Sequence, residues 1–146
     1  MLNRTIFALS TASGKAGIAI VRVSGNETFS VAESISGPLP EPRKASLRNL
    51  MYDHELIDQA LVICFKKDNS YTGEDMVEFH DHGSNAVLSN LFDIFSTKFN
   101  LAMAKPGEFT KRALENGRMD LSQVEGLGDL IEAETKQQHI QSLNSL

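Results

Sequence analysis

Two charged residues stand out because each interrupts a run of apolar residues. Arg22 lies within the apolar run 18–23, and Glu78 lies within the run 76–79. Burying a charge in such a run is costly unless a partner or a ligand satisfies it. Either Arg22 and Glu78 pair with each other or lie at a sheet edge, or they line a polar pocket for a flat, donor-rich heterocycle with an anionic group. The residues alone leave both interpretations open.

Two histidines at the end of the second run suggest a metal site as a further alternative. His80 and His82 flank Asp81, and this spacing places both imidazoles on one face of a strand. The remaining histidines are His54 and His139, and His139 lies in an outlying segment. The sequence therefore favours solvated or hydrogen-bonded histidines, with a His-ligated metal enzyme as the minor alternative.

Nucleotide and thiol chemistry are not expected from the other candidate residues. Gly14-Lys15 would need a glycine five residues earlier and a hydroxyl residue next to form a phosphate-binding loop, but Leu9 and Ala16 occupy those positions. The single cysteine, Cys64, lies in the apolar run 60–65 and is expected to be a core residue with a raised thiol pKa.

Composition places the chain among ordinary globular proteins. It has 146 residues, 41% of them hydrophobic, and a net charge of −5. No apolar run approaches the roughly 20 residues that cross a bilayer, so a cytoplasmic protein without a membrane partner is expected. Most of the net charge lies in residues 120–146, which contain five acidic residues and one lysine. This shift indicates that 120–146 belong to a second structural unit.

The hydrophobic pattern predicts an α+β domain with a mixed β-sheet. Strands are expected over 4–9, 17–24, 44–52, 57–65, 76–80 and 101–104. Helices are expected between a capping box at 24–27 and Gly37, over 84–98, from Pro106-Gly107 to about Glu115, and from Asp120 onward. Helices alternate with strands, yet hairpin connections also occur, which favours α+β over a doubly wound fold. The strand 17–24 is continuously apolar and is expected to be central in the sheet.

Four short motifs follow one another along the chain. They are GKAGIAIVRVSG at 14–25, SYTGED at 70–75 followed by Glu78 and His82-Gly83, PGEFTKRA at 106–113 with NGRMDL at 116–121, and Glu125 with DLI at 129–131. In this order and spacing the motifs resemble the N-terminal portion of the tRNA modification GTPases of the MnmE (TrmE) family. The resemblance covers essentially the whole chain.

The resemblance implies a fold and an activity. Residues 1–119 would form a domain similar to the folate-binding domain of the glycine cleavage T-protein, which binds 5-formyl-tetrahydrofolate and forms a homodimer. Residues 120–146 would be the first helix of an all-α domain, with the GTPase domain absent from this chain. The full-length parent would hydrolyse GTP with K⁺ and Mg²⁺. With the flavoprotein partner MnmG, it would add a carboxymethylaminomethyl or aminomethyl group to C5 of the wobble uridine of certain tRNAs.

The resemblance also implies three folate-binding residues and no catalytic or metal-binding residue in this segment. Arg22, Glu78 and Arg118 take the folate-contacting positions. A carboxylate can accept from the pterin amine and ring N–H, while the basic groups meet its carbonyl or glutamate tail. The family usually has Lys at the third position, so Arg118 keeps the charge and changes the geometry. The family also usually has Gly where this chain has Ser84. Because of these two departures, a dimerisation module that no longer binds folate is the alternative. GTP hydrolysis by this chain alone is not expected.

Overall fold

The computed structural model of the chain describes residues 4–10 and 17–120, which form a six-stranded sheet and three α-helices. The strands are Ile6–Leu9 (β1), Ile18–Ser24 (β2), Ser46–Tyr52 (β3), Glu55–Phe65 (β4), Met76–His82 (β5) and Ala102–Met103 (β6). The helices are Thr28–Ser36 (α1), Asn85–Asp93 (α2) and Glu108–Glu115 (α3). A short 3₁₀ turn at Lys67–Asn69 precedes β5, and a π-helical turn at Ile94–Lys98 extends α2. The predicted loop at Gly14-Lys15 and the predicted helix beyond Asp120 lie outside the described residues.

The strand order is β3-β4-β5-β2-β1-β6. All neighbours are antiparallel except β1 and β6, which are parallel, so the predicted mixed sheet of an α+β domain is confirmed. The strand β2 pairs with β5 along seven residues and with β1 on its other side. Its central position, predicted from its apolar sequence, is also confirmed.

A tight turn joins β3 and β4. Asp53 and His54 both adopt left-handed backbone conformations, with φ of 50° and 65°. Two residues with positive φ are what a type I′ hairpin turn requires, because that turn matches the twist of the strands. The turn is one residue shorter than the sequence predicts, since Glu55 already pairs with Tyr52.

One face of the sheet carries the main hydrophobic core. Val21 and Phe79 of the two central strands are fully buried there, together with Ile35 of α1 and Leu91 of α2. Phe7 lies at the centre of an aromatic cluster, with its ring 5.2 Å from that of Phe92 and 5.3 Å from that of Phe95. Cys64 is buried in the same core, as predicted, and burial raises the pKa of its thiol. The alternation of side chains along each strand directs these residues toward α1 and α2.

The predicted capping box at the start of α1 is wrong. The helix begins one residue after Glu27 without a side-chain cap, and the Ser24 hydroxyl instead donates to Glu74 Oε1 over 2.8 Å. Ser24 is still the last residue of β2, paired with Met76, so it lies three residues before the N-cap position Glu27 and does not cap the helix. The Thr5 hydroxyl accepts from the backbone N–H of Glu27 at 3.0 Å. By contrast, Ser84 caps α2 by accepting from the Val87 N–H.

The opposite face of the sheet is only partly covered. Helix α3 packs Phe109 against Ile6, Ala8 and Met76 at one end. Away from α3, the face exposes several large apolar side chains, namely Ile18 (61% exposed), Leu47 (56%) and Leu61 (41%). We call this uncovered region of β2, β3, β4 and β5 the open face. Within the described part of the chain, no helix is long and apolar enough to cross a membrane.

One carboxyl group is buried without a hydrogen bond on the core side of β5. Asp81 is 3% exposed, and neither of its side-chain oxygens has a partner. Burial away from water raises its pKa to about 7; the neighbouring Asp58 adds to the rise, and His82 opposes it. The folded protein therefore holds a proton on Asp81 that the unfolded chain releases near its ordinary pKa of 3.8.

We predict that Asp81 makes the protein less stable as pH rises. As the pH rises from the unfolded pKa near 4 to the folded pKa near 7, the contribution of Asp81 to the free energy of unfolding decreases by about 2 to 4 kcal/mol. In urea titrations, Asp81→Asn should therefore gain stability relative to wild type between pH 5 and pH 8. The exposed Asp68→Asn is the control. Parallel pH profiles for wild type and Asp81→Asn would contradict the prediction.

Candidate functional site on the open face

The two in-strand charges lie directly opposite each other on the open face. Arg22 of β2 and Glu78 of β5 are register partners, and Arg22 Nε donates to Glu78 Oε2 over 2.9 Å. Both side chains are partly exposed. The first interpretation, mutual pairing, is therefore correct. Because no helix among the described residues covers this part of the sheet, the partly exposed pair is open to a ligand there.

The two histidines extend the polar cluster, each bonded to a carboxylate. His80 Nε2 lies 3.0 Å from Glu78 Oε1, so each oxygen of Glu78 has one partner. His82 bonds through its ring to a different carboxylate, Asp58, at 2.8 Å. Among residues 4–10 and 17–120, no group of three potential ligands is arranged to hold a metal ion. The metal-enzyme alternative therefore gains no support from this geometry.

A loop at residues 70–75 forms a wall of the site. The ring centre of Tyr71 lies 5.9 Å from Arg22 Cζ, which is within cation–π range. Its hydroxyl is 2.9 Å from Thr110 Oγ1 of α3, which fixes the ring relative to the helix. Sequence reasoning selected His80 only as a possible metal ligand, and it did not select Tyr71. The available signal was a polar SYTGED segment with one aromatic residue directly before the strand that bears Glu78.

The third predicted residue reaches the same loop. Arg118 Nε donates to the Ser70 carbonyl over 3.0 Å, and Asn116 Nδ2 donates to the Thr72 carbonyl over 2.9 Å. Gly117 has φ of 71° and allows the chain to leave α3 in this direction. The structure thus brings Arg22 and Glu78 into direct contact and connects Arg118 to them through the loop 70–75.

Comparison with known proteins identifies the family of the chain. The family model described as the GTP-binding protein TrmE N-terminus matches residues 5–118, which include all three predicted site residues. The chain belongs to the TrmE N-terminal family. The resemblance seen in the sequence motifs is therefore confirmed.

Relatives in this family share about half of their residues with the chain. It is 53% identical to the tRNA modification GTPase MnmE of Roseobacter denitrificans, over 97% of this chain and 33% of that protein. Identity is 49% to the protein of the same name from Caulobacter vibrioides, over 99% of this chain and 32% of the relative. The chain is 48% identical to the protein of the same name from Agrobacterium fabrum, over 92% of this chain and 31% of that protein. The chain spans about a third of the length of these curated relatives.

Within this member of the TrmE N-terminal family, a glycine lets the loop 70–75 pack closely on the segment after α3. Gly73 has φ of 80°, a conformation that favours glycine. A Cβ on Gly73 would lie 2.6 Å from Asn116 Cβ and 3.2 Å from Arg118 Cγ. The loop and the Arg118 segment can therefore approach this closely only if residue 73 lacks a side chain.

We predict that Gly73→Ala displaces the loop and destabilises the protein. Backbone strain and the clash with Asn116 together should lower the free energy of unfolding by about 2 to 4 kcal/mol in urea titrations. The control is Gly117→Ala, because Gly117 also has positive φ but a Cβ there meets nothing within 4 Å. Equal losses for the two variants would show that close packing at Gly73 contributes nothing.

Proposed function

We propose that this chain is the N-terminal domain of a tRNA modification GTPase and binds 5-formyl-tetrahydrofolate on its open face. The proposed contacts are Arg22, Glu78 and Arg118. The observation that carries the proposal is the Arg22–Glu78 ion pair on a sheet face that no described helix covers. A structural ion pair alone does not require an uncovered face or a neighbouring aromatic wall, whereas a binding site uses both.

The donors and acceptors of the pair fit the two ends of a folate. Glu78 accepts one hydrogen bond at each oxygen, which leaves lone pairs for a pterin amine and ring N–H. The bond from Arg22 to Glu78 uses its Nε, and its terminal nitrogens suit a ligand carbonyl. Arg118 likewise bonds Ser70 through Nε, and its terminal nitrogens suit the carboxylates of the glutamate tail.

The exposed apolar residues of the same face support a homodimer. Ile18, Leu47 and Leu61 are each at least 41% exposed, and Leu61 is the register partner of both Leu47 and His80. Leu47 and Leu61 are neighbours, and Ile18 lies across the histidines of β5. Exposed apolar side chains among polar ones are typical of a protein interaction surface. We propose that two copies associate through this part of the open face, next to the folate site.

The wider role of the parent protein follows from the family. We propose that the parent is cytoplasmic and acts with MnmG on the wobble uridine of certain tRNAs, using the bound folate as one-carbon source. GTP hydrolysis, with K⁺ and Mg²⁺, is assigned to parts of the parent outside this chain. The division into 1–119 and 120–146 and the likeness to the glycine cleavage T-protein stay predictions.

The folate proposal is tested by calorimetric titration with 5-formyl-tetrahydrofolate. Glu78→Gln keeps the shape of the side chain but removes the charge, so affinity should fall by at least ~10-fold, because hydrogen bonds to charged groups contribute about 1.5 to 3 kcal/mol. The control is Glu41→Gln, which removes an exposed carboxylate that pairs with Lys44 far from the site. A wild type that dimerises but does not bind the folate would favour the dimerisation module instead.

The dimer proposal is tested by sedimentation velocity. Leu61→Lys places a charge in the centre of the proposed interface and should weaken dimerisation by at least ~10-fold, because the charge would be buried unpaired. Met103→Lys is the matched control, since Met103 is 50% exposed but lies on β6 at the opposite edge of the sheet. A monomeric wild type, or equal dissociation of both variants, would count against this interface.

A further inference from the structure

We infer that Glu74 is the positioning residue of the open-face site, which it controls through the loop 70–75 without contacting the ligand. The expected effect of Glu74 on ligand affinity rests on the proposed folate function. Its effect on the loop rests only on the contacts described below. Glu74 lies four residues before Glu78 and belongs to the loop, whereas the proposed ligand contacts lie on β2, on β5 and after α3.

Glu74 is the point at which the loop joins a buried ionic network. Its Oε1 accepts from Ser24 Oγ at 2.8 Å and from Arg112 Nη1 at 3.0 Å. Arg112 is also bonded through Nη2 to Glu108 at 3.0 Å and to the Arg4 carbonyl at 2.7 Å. Because the Arg112 side chain is only 5% exposed, these contacts replace its hydration and fix its position. The network thereby connects β2, α3 and the start of β1 to the loop.

The position of Glu74 sets the rest of the loop through hydrogen bonds within residues 70–74. Ser70 Oγ donates to the Glu74 carbonyl and accepts from the Gly73 N–H. Thr72 Oγ1 accepts from the Glu74 N–H at 3.2 Å and lies 2.8 Å from Ser24 Oγ. A displacement of Glu74 would therefore move residues 70 and 73 as well.

The loop in turn contacts two of the three proposed ligand residues. Tyr71 lies against Arg22, and the Ser70 carbonyl accepts from Arg118 Nε. Side chains that bind a ligand must hold their geometry within a fraction of an ångström, which requires a fixed second layer of contacts. Glu74 supplies that layer because it anchors the segment that touches both arginines.

The chain offers a matched control for this role. Glu108 pairs with the same guanidinium at the same distance of 3.0 Å, and its side chain is 21% exposed against 17% for Glu74. Glu108 belongs to α3, however, and not to the loop. Glu74→Gln and Glu108→Gln therefore each remove one carboxylate from Arg112, but only the first loosens the loop.

Two measurements on the 146-residue chain test the inference. In amide hydrogen exchange, residues 70–75 should exchange at least ~10-fold faster in Glu74→Gln and within ~3-fold of wild type in Glu108→Gln. In titration with 5-formyl-tetrahydrofolate, the affinity of Glu74→Gln should fall about 10-fold while Glu108→Gln stays within ~3-fold of wild type. Melting temperatures should fall for both variants, since both weaken the contacts of one buried arginine.

Equal exchange in the two variants, or wild-type affinity in Glu74→Gln, would overturn the inference. A wild type that binds no folate would overturn the proposed function alone, because the exchange comparison still decides whether Glu74 holds the loop. If Glu74→Gln does not fold, Ser24→Ala removes one donor to Glu74 Oε1 together with the contact to Thr72 Oγ1, and should accelerate exchange at residues 70–75 by about 3-fold. Unchanged exchange in that variant would equally overturn the inference.

Discussion

The buried guanidinium of Arg112 is the interaction on which the site side of the molecule depends. A charge that is 5% exposed must be compensated by protein groups, and its partners come from three segments of the chain. Glu74 and Glu108 compensate the charge, and the Arg4 carbonyl completes the hydrogen bonding. Satisfying this one cation therefore fixes α3 over one end of the sheet and brings the loop 70–75 beside β2.

The remaining architecture follows from a division between the two faces of the sheet. Along β2 and β5, alternate residues are buried on the side of α1 and α2; they are apolar, as with Val21 and Phe79, except for Asp81. The intervening positions hold Arg22, Glu78 and His80 on the open face. An antiparallel sheet commonly packs one face on the core and leaves the other in solvent. Charged side chains at its centre, left uncovered by the described helices, distinguish this face from a second core and support a binding surface there.

Local sequence rules predicted most elements because short-range chemistry determined them. Ser84 caps α2, Gly37 ends α1, and the apolar runs became strands. Prediction failed at Ser24, which stays in β2 paired with Met76, while its hydroxyl donates to Glu74, a carboxylate 50 residues away. Sequence spacing contains no information on such a partner, so the capping box was the natural and incorrect prediction.

The sequence by itself determined the family, the α+β class and the identity of the two in-strand charges, because motif order, hydrophobic periodicity and the cost of burying charge are all properties of the chain. The tertiary structure decided that Arg22 and Glu78 pair with each other and that Tyr71 and His80 lie beside them. It also decided that Arg118 bonds to the loop 70–75, which in turn contacts Arg22. These contacts depend on strand register and on the docking of α3. Both are set by packing between segments distant in sequence, which local patterns do not specify.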